Sequence, residues 1–207
     1  MPVPATPSVP PLLIVISGPS GVGKDAVMRR LLERDSRLRR SITMTTRAPR
    51  ANDGRLEVDG VDYDFVTPDA FDAHVDAGHL LEHAGVHTSQ YGSPRARVRA
   101  LLEDGHDVLL QVDVQGSRTL RGVIPGALFL YIAPESRAIL EERLRRRGTP
   151  EPTLLEREKD REFEVNAASE FEHILVNREG QLEATVGAAL AVIEAERTRE
   201  GRAVIEV

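Results

Sequence analysis

A glycine-rich loop between an apolar run and a helical pattern limits most strongly what this chain can fold into. The loop is residues 18–25, Gly-Pro-Ser-Gly-Val-Gly-Lys-Asp, and it follows the continuous apolar run 12–16. Its three glycines allow backbone N–H groups to turn inward around phosphate oxygens, and the N-terminus of the next helix attracts anions. A strand, such a loop and a helix are together typical of a phosphate-binding loop, whose lysine reaches the β- and γ-phosphates of a nucleotide.

The last position of this loop departs from the usual pattern. Such loops normally end in lysine followed by serine or threonine, whose hydroxyl binds Mg²⁺, whereas this chain has Asp25. A carboxylate is also a hard oxygen ligand for Mg²⁺, but it brings negative charge close to a triphosphate. Two alternatives stay open. Asp25 binds the metal, or it stabilises the helix N-terminus while the metal is held elsewhere.

Length and composition exclude several other classes of protein. At 207 residues the chain is long enough for one domain with a sizeable core. It contains 27 Lys and Arg against 33 Asp and Glu, which does not fit a nucleic-acid binder that relies on bulk positive charge. It has no cysteine, and no apolar run approaches the length of a membrane span. We therefore expect a cytoplasmic protein that binds neither nucleic acid nor membrane.

The order of the predicted elements is that of a doubly wound α/β protein. After the first strand and helix, the range 41–66 holds short alternating runs broken by Asp-Gly pairs, which predicts a small β-rich insertion. Buried strands are predicted at 107–114, 127–133 and 173–177, with helices between them. Thr67 and Ser93 each precede a proline and are predicted to cap two further helices. The proline-rich residues 1–11 are expected to form a disordered tail.

Two groups of arginines are candidates for binding phosphate. Arg47 and Arg50 lie three residues apart beside a proline, so both can bind the same phosphate. The alternative is that they belong to a solvated basic loop with no ligand. The second group begins at the end of a helix that precedes glycine and proline residues, which fits a lid that neutralises a phosphoryl group during transfer; a solvated helix face is the alternative. Its members are Arg143, Arg145, Arg146, Arg147 and Arg157.

The chain resembles the guanylate kinases at several separated places. The loop 18–24 is similar to their phosphate loop, and the segments 45–50 and 57–66 resemble their signature segment. The resemblance covers about residues 11–200. Its shorter matches are 81–84, 91–93, 112–116, 147–149 and 176–177.

This resemblance implies an α/β three-layer P-loop kinase fold with a parallel central sheet, a small β-rich GMP-binding insertion and a helical lid. Within a domain of residues 12–200, the implied parts are the core at 12–40, 94–134 and 171–200, the insertion at 41–93 and the lid at about 135–170. The implied reaction transfers the γ-phosphoryl group of ATP to GMP, and to dGMP, giving ADP and GDP. Mg²⁺ is the implied cofactor and small nucleotides are the implied partners, with the oligomeric state left open.

The resemblance also implies a role for each matching residue. Those that would hold ATP are Gly18, Pro19, Ser20, Gly21, Val22, Gly23, Lys24, Asp25 and Asn177. Those that would hold GMP are Thr43, Arg47, Arg50, Tyr63, Glu82, Tyr91, Gly92, Ser93 and Asp113. Those that would be catalytic are Lys24, Arg47, Arg143, Arg147 and Arg157. Asp25 and Asp113 would bind the metal. Glu82 would accept hydrogen bonds from guanine N1 and N2, an edge that presents two adjacent donors.

Departures from the family pattern keep other functions open. Besides Asp25, Gln111 stands where the family usually has an acidic residue. A loop ending in Lys-Asp also occurs in related ribose bisphosphokinases, so a kinase with a ribose-phosphate acceptor is the main alternative. Glu82 and Ser93 favour GMP. A non-catalytic guanylate-kinase-like binding module is the second alternative, against which Lys24 and the loop glycines argue.

Overall fold

The centre of the protein is a five-stranded parallel sheet. The computed structural model describes residues 9–52, 55–86, 88–146, 149, 151–156 and 158–207. In spatial order, the strands of this sheet are β11 (His173–Asn177), β10 (Leu128–Pro134), β1 (Leu13–Ser17), β9 (Asp107–Gln111) and β2 (Leu38–Arg40). All neighbouring pairs are parallel. Every residue of β1 is buried, as expected for a central strand that is covered on both faces.

Helices cover both faces of this sheet and give the core three layers. One face is covered by α1 (Lys24–Arg34) and α8 (Leu182–Thr198), and the other by α3 (Arg95–Glu103) and α4 (Val114–Val123). Side chains of β1 alternate between the two buried clusters. Ile14 and Ile16 pack on the α1 and α8 side, whereas Leu13 and Val15 pack on the α3 and α4 side. The predicted three-layer α/β fold with a parallel central sheet is confirmed.

A smaller sheet is formed by residues between β2 and α3. Its strands, in spatial order, are β6 (Asp64–Phe65), β3 (Met44–Thr45), β8 (Ser89–Pro94) and β7 (Leu80–Val86), and a separate hairpin joins β4 (Ala51–Asn52) to β5 (Arg55–Leu56). The helix α2 (Pro68–Asp76) lies between β6 and β7 in the chain. The Ala70 N–H donates to the Thr67 hydroxyl at 3.3 Å, so Thr67 caps α2 as its sequence predicts.

A run of short helices follows β10. These are α5 (Arg137–Arg146), α6 (Glu151–Glu156), α7 (Glu158–Asn166) and a 3₁₀ turn (Ala167–Glu170). The buried Tyr131 of β10 donates its hydroxyl to the main-chain carbonyl of Glu164 at 2.6 Å, which ties α7 to the core. Arg147 and Arg157, both expected in the lid, lie outside the described residues. No helix in the described ranges is long and apolar enough to cross a membrane.

Two boundaries predicted from the sequence are wrong, and both lie near the site. The strand predicted at 107–114 ends at Gln111, because the Asp113 carboxylate accepts the Gly116 N–H at 2.7 Å and starts α4. The apolar residues continue through both elements, so hydrophobicity does not mark the change. Ser93, predicted to cap a helix, lies instead in β8. Residues 1–8 of the expected tail lie outside the described residues, whereas Arg202 binds the carbonyls of Pro10 and Pro11.

Candidate active site

The glycine-rich loop joins the carboxyl end of β1 to α1 and has a backbone that only glycine adopts readily. Gly18 has φ 141°, and a Cβ there would lie 2.2 Å from the carbonyl oxygen of Ile132. Gly23 is the N-cap of α1 with φ 102°. Both values lie in the left-handed region, where other residues are strained. The loop therefore curls tightly between the sheet and the N-terminus of a helix, the place where anions bind.

Three side chains hold this loop through its carbonyl groups, one at the end of the loop itself and two from distant parts of the chain. Lys24 Nζ donates to the carbonyls of Gly18 at 2.6 Å and Pro19 at 3.1 Å. Asn177 Nδ2 donates to the carbonyl of Val22 at 2.8 Å, and Arg143 donates to the same carbonyl at 3.2 Å. Asn177 and Arg143, expected to touch nucleotide, thus support the loop directly.

A carboxylate from α7 also reaches the loop. Glu164 Oε2 accepts a hydrogen bond from the Ser20 N–H at 3.1 Å. Glu164 was not predicted from the sequence, and no local signal marks it, because six of the seven residues 158–164 are charged (Glu-Lys-Asp-Arg-Glu-Phe-Glu). Only the three-dimensional structure brings it to Ser20, 144 positions away in the chain.

Glu82 is the most deeply buried carboxylate of the candidate site, with 4% of its surface exposed. The Ser93 hydroxyl donates to it at 2.5 Å across the paired strands β7 and β8. Burial raises the pKa of Glu82 to about 7, and the nearby Asp113 carboxylate adds to the rise while the Ser93 hydrogen bond opposes it. Gly116 lies against this group, since a Cβ there would be 2.5 Å from Glu82 Oε2. Gly116 therefore makes room for the carboxylate.

One cavity of about 170 Å³ connects Glu82 with the phosphate loop. Its wall includes seven of the residues predicted for ATP or GMP, namely Ser20, Lys24, Thr43, Tyr63, Glu82, Tyr91 and Asp113. Gln111 also lines it, and its buried Oε1 has no hydrogen-bond partner in the described part of the chain. Burial raises the pKa of Asp113, while a hydrogen bond from the Gly116 N–H and the charge of Lys24 act in the opposite direction. The fold thus brings residues from the loop, the small sheet and β9 to one site.

Arg47 is fixed by a buried ion pair beside this cavity. Its guanidinium binds Glu57 through two hydrogen bonds of 2.5 and 2.8 Å, with side-chain exposures of 7% and 11%. It also donates to the Tyr91 hydroxyl at 3.1 Å and lies 4.7 Å from the centre of the Tyr63 ring. Burial alone would raise the pKa of Glu57. The hydrogen bonds from the Arg47 guanidinium and the Arg50 N–H have the larger combined effect and lower this pKa. The Arg50 residue is exposed.

Glu57 is a second site residue to which the sequence analysis gave no role. It was included in the signature segment, but nothing in the spacing shows that it pairs with Arg47. The antiparallel pairing of β4 with β5, continued by the hydrogen bond from the Glu57 N–H to the Arg50 carbonyl at 3.0 Å, brings the two charges together.

Asp25 lies in the first turn of α1, with an exposed side chain. It lines a wider cavity of about 640 Å³ together with Arg40 and Tyr63. Among the described residues, the Asp25 carboxylate accepts no hydrogen bond from a backbone N–H of α1. No direct contact therefore supports the alternative that Asp25 caps this helix. Within the same ranges, no cluster of three or more His, Asp or Glu could hold a metal ion alone. A metal here would need ligand oxygens from a bound phosphate as well.

Comparison of the sequence with known proteins finds guanylate kinases, in agreement with the geometry of the site. The family model described as guanylate kinase matches residues 11–196. The guanylate kinase of Alkalilimnicola ehrlichii is 39% identical over 192 residues, which cover 92% of each chain. That of Mycobacterium sp. (strain MCS) is 42% identical over 186 residues, 87% of this chain and 90% of the relative.

A solved structure supports the same relationship. The crystal structure of guanylate kinase from Anaplasma phagocytophilum matches with a TM-score of 0.76 and 28% identity, covering 94% of this chain and 90% of that one. The match therefore extends over nearly the whole length of both chains. Sequence and structure together show that this chain belongs to the guanylate kinase family.

Proposed function

We propose that this protein transfers the γ-phosphoryl group of ATP to GMP, giving ADP and GDP, and that dGMP is a second acceptor. The observation that carries the proposal is the buried Glu82, which lies in the cavity that reaches the phosphate loop. A carboxylate accepts both the N1–H and N2–H₂ donors of guanine, whereas a ribose phosphate presents no such pair. The relatives named above are guanylate kinases, which agrees with this assignment.

The proposed ATP site is the loop of residues 18–24. Its backbone N–H groups would bind the β- and γ-phosphates, and Lys24 would exchange its two carbonyl partners for phosphate oxygens. Asn177 and Arg143 would act as positioning residues, because both bind the Val22 carbonyl and so keep the loop in shape. The developing charge in phosphoryl transfer is stabilised mainly by such prearranged groups.

The proposed GMP site lies on the small sheet. Glu82, Ser93 and Thr43 would contact the base, with Gly92 allowing close approach of the strands. Arg47, Arg50, Tyr63 and Tyr91 would bind the phosphate. Arg47 is already oriented by Glu57 and Tyr91, so little rotational freedom would be lost when phosphate binds.

Mg²⁺ is the proposed cofactor, and the oxygen-rich lining of the site fits it. Asp25 and Asp113 would hold the ion, and the unpartnered Gln111 Oε1 is a further hard oxygen on the same cavity wall as Asp113. When bound, the ion would neutralise charge on the β- and γ-phosphate oxygens. The chain's own contribution is alignment of the two nucleotides and exclusion of water, and no protein base is needed because the attacking phosphate oxygen is already anionic.

A coupled ADP-release assay tests the proposal. ATP and Mg²⁺ are supplied with GMP, dGMP, AMP, CMP, UMP or ribose phosphates as acceptors. We expect GMP to give the highest kcat/KM. A preference for a ribose phosphate would instead support a kinase with a ribose-phosphate acceptor. Binding of nucleotides without turnover would support a non-catalytic binding module.

A further inference from the structure

The contact between Glu164 and Ser20 places a negative charge in a loop that is shaped for negative ligands. The Ser20 N–H donates to Glu164 Oε2 at 3.1 Å, and the positive charge of Lys24 also stabilises this carboxylate. Glu164 lines the same cavity as Lys24 and Glu82. The Glu164 carboxylate therefore accepts the same kind of hydrogen bond from the loop backbone that a phosphate oxygen would accept.

The position of Glu164 is fixed by the core. Tyr131, which is fully buried in β10, donates its hydroxyl to the main-chain carbonyl of Glu164 at 2.6 Å. The Tyr131 ring packs against Phe171, with 5.0 Å between the ring centres. One turn earlier in α7, the buried Arg161 binds the carbonyl of Leu154. The backbone at residue 164 is thus anchored, and the side chain alone can rotate away from the loop.

The surroundings do not favour a carboxylate there. Burial raises the pKa of Glu164, and the neighbouring Asp113 and Asp160 carboxylates add to the rise, while Lys24 and the Ser20 N–H oppose it. Glu164 therefore differs from a surface ion pair with a dedicated arginine, such as the pair of Arg118 and Glu170 at 2.5 Å. A polyphosphate carries more charge and more acceptor oxygens than one carboxylate, so it would satisfy the loop better.

We propose that Glu164 is an internal anion that occupies part of the phosphate loop in the nucleotide-free protein and competes with the phosphates of ATP. Binding of ATP then requires the Glu164 side chain to rotate out, and the ATP affinity is lower than the loop alone would give. This inference rests on the proposed assignment of the loop as the ATP site. A purely supporting role makes the opposite prediction, since loss of a support for the Ser20 amide would weaken ATP binding.

The test measures dissociation constants by isothermal titration calorimetry in the absence of Mg²⁺. The ligands are ATP, inorganic tripolyphosphate and adenosine, and the proteins are wild type, Glu164→Gln and Glu162→Gln. Gln keeps a carbonyl that can accept the Ser20 N–H, so the variant removes the charge but not the hydrogen bond. Glu162 is the matched control because it is exposed on the same helix and its loss changes the net charge equally.

We expect Glu164→Gln to bind ATP and tripolyphosphate at least about threefold more tightly than wild type, because the substitution removes a negative charge that repels the phosphates. Adenosine should be unaffected, and Glu162→Gln should change ATP affinity by less than about twofold because solvent screens a distant charge. A second variant, Glu164→Ala, removes the hydrogen bond too and should also bind more tightly.

Unchanged or weaker binding in both Glu164 variants would overturn the inference and assign Glu164 a supporting role. The proposed function is judged separately by the wild type. If wild type binds neither ATP nor tripolyphosphate, with or without Mg²⁺, the ATP-site assignment fails and this inference fails with it. If wild type binds ATP and phosphorylates GMP while the variants show no gain, only the role of Glu164 is lost.

Discussion

Replacing Glu82 by glutamine should change how the stability of the protein depends on pH. Burial raises the pKa of Glu82 from an ordinary value of 4.5 to about 7 in the folded protein. A raised folded-state pKa means that the native state binds the proton more tightly, so this group favours folding at low pH. That advantage is present in full below about pH 4.5 and is lost as the pH rises through about 7.

The size of the effect follows from the shift in pKa. Each pKa unit corresponds to about 1.4 kcal/mol, so wild type loses about 2.5 kcal/mol of its free energy of unfolding through this group between about pH 5 and pH 8.5. Glutamine does not titrate and keeps an acceptor for the Ser93 hydroxyl. The free energy of unfolding of Glu82→Gln relative to wild type should therefore increase by about that amount over the same range.

The assay is urea unfolding of wild type and Glu82→Gln at several pH values, followed by circular dichroism. Glu103→Gln is the control, because Glu103 is an exposed acid at the end of α3 and its replacement removes the same charge. The control should follow the wild-type pH dependence. A constant difference between Glu82→Gln and wild type from about pH 5 to pH 8.5 would show that Glu82 titrates like an exposed carboxyl, and the reasoning about its burial would be refuted.

Three further predictions concern the phosphates and the metal. Lys24→Met should lower kcat by at least about 10²-fold in a folded protein, because a major electrostatic stabiliser is lost; near-normal kcat in steady-state assays would remove the phosphate-loop assignment. Glu57→Gln should raise the KM for GMP by roughly tenfold and leave the KM for ATP unchanged, since one charge-assisted partner of Arg47 is weakened; equal changes in both KM values would contradict a specific role at the GMP phosphate. Asp25→Ser should bind metal-free ATP more tightly than wild type, with Mg²⁺ narrowing or reversing the difference; an identical Mg²⁺ dependence of ATP binding in the two proteins would mean that Asp25 is not a metal ligand.

The sequence predicted those parts of the molecule that depend on neighbouring residues. The loop of residues 18–24 was found because strand, glycines, lysine and helix are consecutive in the chain. The capped start of α2 at Thr67 was found for the same reason. The parallel sheet followed from apolar runs alternating with helical patterns, which leave few other ways to bury both faces of the strands.

Residues that act through distant contacts were not predictable in this way. Glu164 is one acid among many on a charged helix, and its role depends on the anchoring of α7 by Tyr131. The raised pKa of Glu82 depends on its burial against Gly116 and on the nearby Asp113 carboxylate, which no local pattern shows. The end of β9 was misplaced because the apolar pattern continues past Gln111 and only the capping contact of Asp113 starts the helix.

The central claim is that Glu82 recognises the guanine base of the phosphoryl acceptor. It is tested most directly by comparing kcat/KM for GMP and IMP, which lacks the N2 amino group, in wild type and Glu82→Gln above about pH 8, where the Glu82 carboxylate is ionised. Leaving one hydrogen-bonding group of a buried site unpaired costs about 1–3 kcal/mol, so wild type should prefer GMP by roughly 5- to 150-fold. That preference should fall sharply in Glu82→Gln. Equal kcat/KM for GMP and IMP in wild type, or an unchanged preference in the variant, would contradict the assignment.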